Sequence, residues 1–284
     1  MDISINKILK SIDYIEFINN IHCDIINKFS ELENMEENTI SWCNNKNLHK
    51  IKKIFNKIII IPELDIENKD VINNKENNYI ICKNPRLTFL KILNIIYPDK
   101  VNESPIIGNN VYIGDNVEIG NNVKISHNTV IHDNTKIGDN VTIGCNNTIG
   151  GIGFGYEKNE KGEFESIKHI GNVIIGDNVE IGNNTCIDRG VLGSTYIGNN
   201  TKIDNLVHIS HGVKIGENSL IIANSMIAGS VTIGNNTWIS PSTSIINGNK
   251  IGNNSMTGMG AVVISDIKDN ELHIGFPSKK YKNI

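Results

Sequence analysis

IGNNVYIGDNVEIGNNVKISHNTVIHDNTKIGDNVTIGCNNTI, residues 107–149, places an isoleucine at every sixth position, with glycine, asparagine and aspartate crowded behind it. The same phase returns at Ile175, Ile181 and Ile187, and again from Ile197 to Ile251. A period of six matches neither the 3.6 of an amphipathic helix nor the 2 of a half-buried strand. It fits a short strand followed by a corner, three such sides closing one coil of a triangular prism. Asparagine, aspartate and glycine suit the corners, because they enter positive φ at low cost where β-branched residues do not. The sequence therefore predicts a mainly β fold, a left-handed parallel β-helix. Isoleucine columns fill its interior, and each coil covers the sheet edge of the one before it. The isoleucines are core, so the chemistry must sit elsewhere.

Working outward, the rhythm breaks twice. Gly150–Ile174 carries GGIGFGY and the polar stretch EKNEKGEFESIKH, and Asp188–Tyr196 carries DRGVLGST with four extra residues. Interruptions of a solenoid are extruded loops, and loops on a rigid scaffold commonly carry binding groups. Residues 1–100 differ in composition: helical-looking over Ile5–Leu32, strand-like at Lys57–Ile61 and Tyr79–Cys82, and helical again over Arg86–Tyr97. They form a small α/β module with a boundary near Pro98–Pro105. The β-helix then spans 101–264, and a short C-terminal tail, 265–284, leaves the repeat after Val263 and ends Lys-rich.

A formal net charge of -4 offers no basic excess, which argues against a nucleic-acid partner and a polybasic membrane anchor. Cys23, Cys43, Cys82, Cys145 and Cys186 show no C-x-x-C spacing, so reduced thiols and no zinc cassette are expected. The most apolar run, Ile58–Pro62, is too short to span a bilayer, and the N-terminus leads into no signal peptide. A cytoplasmic protein without a transmembrane segment is expected.

No recognisable Ser-His-Asp order, phosphate loop or paired-carboxylate signature is present. His127, His132, His208 and His211 lie on the repeat but outside the isoleucine columns, where a histidine is more often plain surface than catalytic. His127 and His132 are spaced as in trimeric zinc-dependent carbonic anhydrases, but the third ligand's place holds Lys91, so no metal is expected. His22, His49, His169 and His273 lie off the repeat columns and carry no assignment. His211 goes further, because Gly229, in the motif Ala228-Gly229-Ser230, stands one full coil above it. A base and a free backbone N–H facing one cleft are what acyl transfer from a thioester needs. Glycine permits the close approach, although a plain corner glycine is the competing reading.

These residues resemble the UDP-3-O-(3-hydroxyacyl)glucosamine N-acyltransferases of lipid A biosynthesis, within the hexapeptide-repeat acyltransferases. The likeness rests on GIGFGY (151–156), IGDNVEIGNNTCIDRG (175–190), KIDNLVHISHGVKIG (202–216) and TGMG (257–260). In the N-terminal module, ISWCNNKNLHKI (40–51) and KNPRLTFLKIL (83–93) resemble that family's uridine-binding domain. The resemblance implies His211 as general base and the Gly229 N–H as oxyanion site. It implies Asp204 and His208 lining the amino-sugar pocket, with His208 in place of the usual Gln. It also implies Trp42 stacking on a base and Asn45 contacting it. Leu48 stands where a second aromatic is usual, Gly248 where a second histidine is usual, and the helical C-terminal extension associated with acyl-carrier-protein docking is missing.

The ending GAVVISDIKDNELHIGFPSKKYKN is instead similar to that of coenzyme-A-dependent sugar acyltransferases. The favoured expectation is therefore an N-acyltransferase acting from acyl-coenzyme A on a nucleotide-linked amino sugar. The lipid A enzyme, using acyl carrier protein, is the alternative. No cofactor is expected beyond that co-substrate, and the family's architecture implies a homotrimer. A structural or ice-binding β-helix is the non-enzymatic competitor; it would need a regular Thr or Ser array and no nucleotide-like module.

Overall fold

The computed structural model describes residues 3–21, 25–36, 38–51, 54, 57–98 and 104–283. His22, Cys23 and much of the expected boundary at Pro98–Pro105 lie outside the described residues. The chain divides into two compact units, Met1–Lys100 and Val101–Ile284.

In the first unit, five strands form a sheet in the order Glu16–Ile18, Asn78–Cys82, Ile58–Pro62, Thr39–Trp42, Lys28–Phe29. The first two pair antiparallel and the rest parallel. The run Ile58–Ile61 is the centre of this sheet because strand alternation lets it serve two cores. Ile58 and Ile60 pack with Ile40, Ile80, Ile92 and Ile96, whereas Ile59 and Ile61 pack with Leu48, Ile51, Val71 and Tyr79. The helix Pro85–Ile96 starts where Asn84 accepts from the Leu87 N–H at 3.1 Å with proline in the first turn.

The helical expectation for Ile5–Leu32 is corrected. Among the described residues only Ile5–Leu9 is α-helical before Leu32, and Glu16–Ile18, Ile25–Ile26 and Lys28–Phe29 are strands. This stretch is rich in β-branched and aromatic residues, and it finds sheet partners, as in the Ile15 N–H donating to Ile81 at 2.7 Å. Tertiary pairing of that kind overrides weak helix propensity.

The second unit is a left-handed parallel β-helix with sheets of ten, eight and seven strands as its faces. The first face starts at Ile106–Ile107, the second at Tyr112–Ile113 and the third at Glu118–Ile119. Ile125 pairs with Ile143, and Ile131 with Ile149, so equivalent positions stack directly. The columns from Ile125 to Ile251 are buried as one continuous core. Ile107 and Ile113 depart from that pattern and are exposed, since no coil of this unit precedes theirs.

The corners explain the rest of the hexad. Two residues after the isoleucine, a side chain accepts the backbone N–H of its counterpart one coil below. Asp133 takes that of Asp115 at 2.9 Å, Asp139 that of Asn121 at 2.6 Å and Asn235 that of Glu217 at 2.9 Å. The next residue is left-handed, as at Asn110 (φ 57°), Asn128 (φ 59°) and Asn146 (φ 58°). Their carboxamides bond up the column at 3.1 and 3.3 Å. Glycine follows the isoleucine because coils touch there: a Cβ on Gly216 would stand 2.7 Å from the Gly234 carbonyl carbon.

The tail expectation is also corrected, for residues 265–283 cap the prism. Ile267 bridges to Ile251, Glu271–Ile274 stacks on Met256–Thr257, and Lys279–Asn283 folds back antiparallel. The Glu271 carboxylate ties this cap, accepting from Lys280 at 2.7 Å, His273 at 3.0 Å and the Lys268 N–H at 3.2 Å. The Lys280 and His273 bonds hold its pKa down at about 2. A covered last coil leaves less unpaired sheet edge.

Candidate active site

Both breaks in the rhythm fall at the second corner, between the second and third faces. The first leaves after Thr148–Gly151 and rejoins at Asn172–Ile175; the second leaves after Cys186–Asp188 and rejoins at Ser194–Ile197. Ladder partners 18 residues apart in a regular coil are 38 apart across the first and 22 apart across the second. Arg189 staples the two expansions together, its Nε donating to Gly150 at 2.6 Å and its backbone N–H to Gly151 at 2.9 Å.

His211 occupies the same corner in the next coil, at the position that elsewhere holds the ladder side chain. The rebuilt corner beneath it offers no N–H in register, and its Nδ1 is buried without a partner. Its Nε2 faces Gly229, where an added Cβ would stand 2.7 Å from that nitrogen. The Gly229 N–H donates to no protein group among the described residues. The structure thus places the His211 ring against Gly229 where the coil spacing puts them.

Two residues without a role in the sequence reading complete the cluster. His169, from the extruded loop, is 7% exposed and lies edge-on to His211, with ring centroids 5.1 Å apart. Gly153 of GIGFGY fits between the rings, where a Cβ would be 2.9 Å from both His169 Nε2 and His211 Nδ1. Asp188, the acid of IDRG, reaches within 3.7 Å of His208 Nε2. His208 also contacts Ser210 Oγ at 3.1 Å. Burial raises the Asp188 pKa, opposed by His208, His211 and His169. Burial lowers the His211 pKa and His169 adds to the effect, while Asp188 pulls against it. The imidazole is therefore kept neutral and able to accept a proton near neutral pH.

The remaining expected site residues fall elsewhere. Asp204 is at the first corner, because an advance of about one hexad moves a residue to the neighbouring corner. Its carboxylate is spent on the Asn205 N–H at 2.7 Å and the Ala223 N–H at 3.2 Å. Within this chain it does not share a pocket with His208. It borders a first-face hollow of about 400 Å³ with Lys202, Leu220 and Trp238. In the N-terminal unit, Trp42 lines a cleft of about 500 Å³ with Phe29, Phe89, Asn44, Asn47 and Lys50. Asn45 is exposed in the short helix Asn45–Asn47 and does not line this cleft, whereas its neighbours Asn44 and Asn47 do. Leu48 is buried in the core.

Among the described residues no three His, Cys, Asp or Glu side chains converge to hold a metal. His127 is instead a ladder residue, accepting the Asn109 N–H on Nδ1 at 2.8 Å. Again among the described residues, no helix is long and apolar enough to cross a membrane. The outward positions of the first face, such as Lys124, Thr142, Glu180, Leu220 and Trp238, form no Thr or Ser array.

The model of the bacterial transferase hexapeptide family (six repeats) matches residues 100–133, 116–151 and 194–229. These stretches carry the hexapeptide repeat of that family. Its resemblance to the UDP-3-O-acylglucosamine N-acyltransferases is borne out by curated relatives of that name. The chain is 49% identical over 133 residues to the one from Caulobacter vibrioides, covering 47% of this chain and 39% of that protein. It is 54% identical over 132 residues to UDP-3-O-acylglucosamine N-acyltransferase 1 of Francisella tularensis subsp. holarctica, covering 46% of this chain and 38% of that protein. The matched stretch thus spans about two-fifths of each relative's own length. Among solved structures, the UDP-N-acetylglucosamine O-acyltransferase of Moraxella catarrhalis superposes with a TM-score of 0.55 at 27% identity, over 64% of this chain and 68% of that one. The UDP-N-acetylglucosamine acyltransferase of Francisella novicida superposes with a TM-score of 0.58 at 27% identity, over 65% and 66%.

Proposed function

We propose that this chain transfers an acyl group from a thioester to the amino group of a UDP-linked, 3-O-acylated glucosamine. The observation that carries the reading is the placement of His211 Nε2 against Gly229, whose N–H is unengaged, at the corner that both loop expansions rebuild. The neutral amine attacks the thioester carbonyl, forming the C–N bond. His211 Nε2 takes the ammonium proton as it forms, and the Gly229 N–H donates to the developing oxyanion. Collapse breaks the C–S bond, and the histidinium returns its proton to the departing thiolate, leaving amide and thiol.

The relatives support this substrate over the broader expectation of any nucleotide-linked amino sugar. The cleft beside Trp42 would take the nucleobase, its indole supplying a stacking face and Asn44, Asn47 and Lys50 the polar rim. Exposed Leu206, Met226 and Trp238 give the prism apolar surface that further copies would cover in a homotrimer. Light scattering returning a monomer would remove that part of the reading.

The second reading, a short acyl-coenzyme A donor and another amino sugar, draws on the likeness of the C-terminal segment, which folds as a compact cap. A thiol-release assay separates the two. Acetyl- and 3-hydroxybutyryl-coenzyme A and a 3-hydroxyacyl carrier protein are each offered with UDP-3-O-acylglucosamine and with UDP- and dTDP-linked amino sugars. Turnover of UDP-3-O-acylglucosamine supports the proposal. Turnover confined to short acyl-coenzyme A and a different amino sugar replaces it with the second reading, and no thiol release from any pair overturns both.

A further inference from the structure

Two buried imidazole nitrogens at the second corner have no hydrogen-bond partner, His169 Nε2 and His211 Nδ1, and both crowd the same point beside Gly153. Their chemistry is complementary. His169 Nδ1 lies 2.8 Å from the Ile167 carbonyl, which only accepts, so that nitrogen carries the ring's proton and Nε2 keeps its lone pair. If His211 Nε2 is to accept a proton beside Gly229, neutral His211 must carry its own proton on Nδ1, the nitrogen turned toward His169.

The geometry points to His169 as the positioning residue that selects the Nδ1–H tautomer of His211. The Ile167 carbonyl orients His169, and its Nε2 is the acceptor that favours a proton on His211 Nδ1. This is the role a carboxylate plays in many histidine-based sites. The carboxylate at hand, Asp188, has its 3.7 Å contact with His208 instead. His169 is nine-tenths buried with no other acceptor duty, and Gly153 is the residue that lets the loop bring it in. The rings lie edge-on with centroids 5.1 Å apart, and both nitrogens stand 2.9 Å from the point a Gly153 Cβ would occupy, so a ring rotation or one bridging water would let them share the proton.

The assignment rests on the acyl-transfer reading for its purpose but not for its test. Imidazole 15N NMR on the substrate-free protein reports the tautomer directly, with His211→Gln used to assign the signals. Expected in the wild type is a neutral His211 protonated on Nδ1. His169→Leu should convert it to a tautomer mixture and lower kcat on the order of 10–100-fold. His169→Gln, which restores an acceptor oxygen, should recover the Nδ1–H form and most of the rate. A wild-type His211 protonated on Nε2, or a tautomer unmoved by His169→Leu, overturns the proposal. The wild-type spectrum decides even if the leucine variant does not fold. If no thioester is turned over but the tautomer behaves as stated, the acyl-transfer reading fails and the positioning role stands.

Discussion

His127 and His211 stand in the same local sequence, Ile-Ser-His, at the same phase of the hexad. His127 is exposed and its Nδ1 is used by the Asn109 N–H one coil below at 2.8 Å. The Nδ1 of His211 is buried and unpartnered, and its Nε2 faces a glycine. The difference lies in the coil beneath each. Under His127 the ladder is intact, whereas under His211 the corner carries four extra residues and the N–H that would occupy the ring is displaced. A repeat scaffold can thus release a ring from its ladder bond by altering the neighbouring coil, without changing the residue itself.

The largest expected effect tests that contrast. His211→Ala should lower kcat roughly 10²–10⁴-fold while the melting temperature stays close to that of the wild type, because no ladder bond is lost. Steady-state kinetics beside a thermal melt checks both halves. A variant with near-normal turnover would place the proton transfer elsewhere.

Next in size is Gly229→Ala. Its Cβ would fall 2.7 Å from His211 Nε2, so the ring must rotate away from the N–H it works beside. A loss of roughly 10²-fold or more in kcat is expected, on the scale of a lost oxyanion donor. A crystal structure of the variant should show the imidazole displaced. Unchanged kinetics would mean that the two groups do not act on one carbonyl.

Much of this was legible in the sequence, for reasons that differ by region. The β-helix follows from arithmetic, since a strict period of six leaves no helix or flat sheet to consider. The corner of His211 and Gly229 follows from counting along it. Asp204 could have been placed by the same counting, but the family resemblance set it beside His208, and the coil puts it at another corner. His169 was invisible because it sits in an insertion, where no period says which residue returns to the scaffold. The Ile5–Leu32 stretch misled because isoleucines at mixed spacing suit a helix or several short strands equally, and only the sheet partners decide. Asn44 and Asn47 replaced Asn45 at the cleft because loop direction changes at every residue.

The pH dependence sharpens the comparison further. Burial and His169 lower the His211 pKa, so the acidic limb of kcat/KM should fall below the ordinary imidazole range. Asp188 opposes that shift, and Asp188→Asn should move the limb to still lower pH as the stabilising negative charge is lost. A limb that moved upward would show that Asp188 does not face His211 as an anion.

The smallest effects belong to His127, where the ladder account makes a two-sided claim. His127→Ala removes the acceptor of the Asn109 N–H, an exposed bond, so a loss of about 0.5–1.5 kcal/mol in stability is expected, with turnover unchanged. His127→Asn should restore it to within about 0.5 kcal/mol. Asparagine makes the equivalent bond at Asn235, which accepts the Glu217 N–H at 2.9 Å. The matching substitution His211→Asn should leave stability nearly as it was and lower the rate as far as His211→Ala does, since the corner below supplies no N–H to the new side chain and the base is gone. Denaturant melts and kinetics on the four variants form a square in which stability responds only at 127 and rate only at 211. A rate loss at His127 would mean that the regular ladder is part of the site, and a stability loss at His211→Asn would mean that the rebuilt corner still supports it from below.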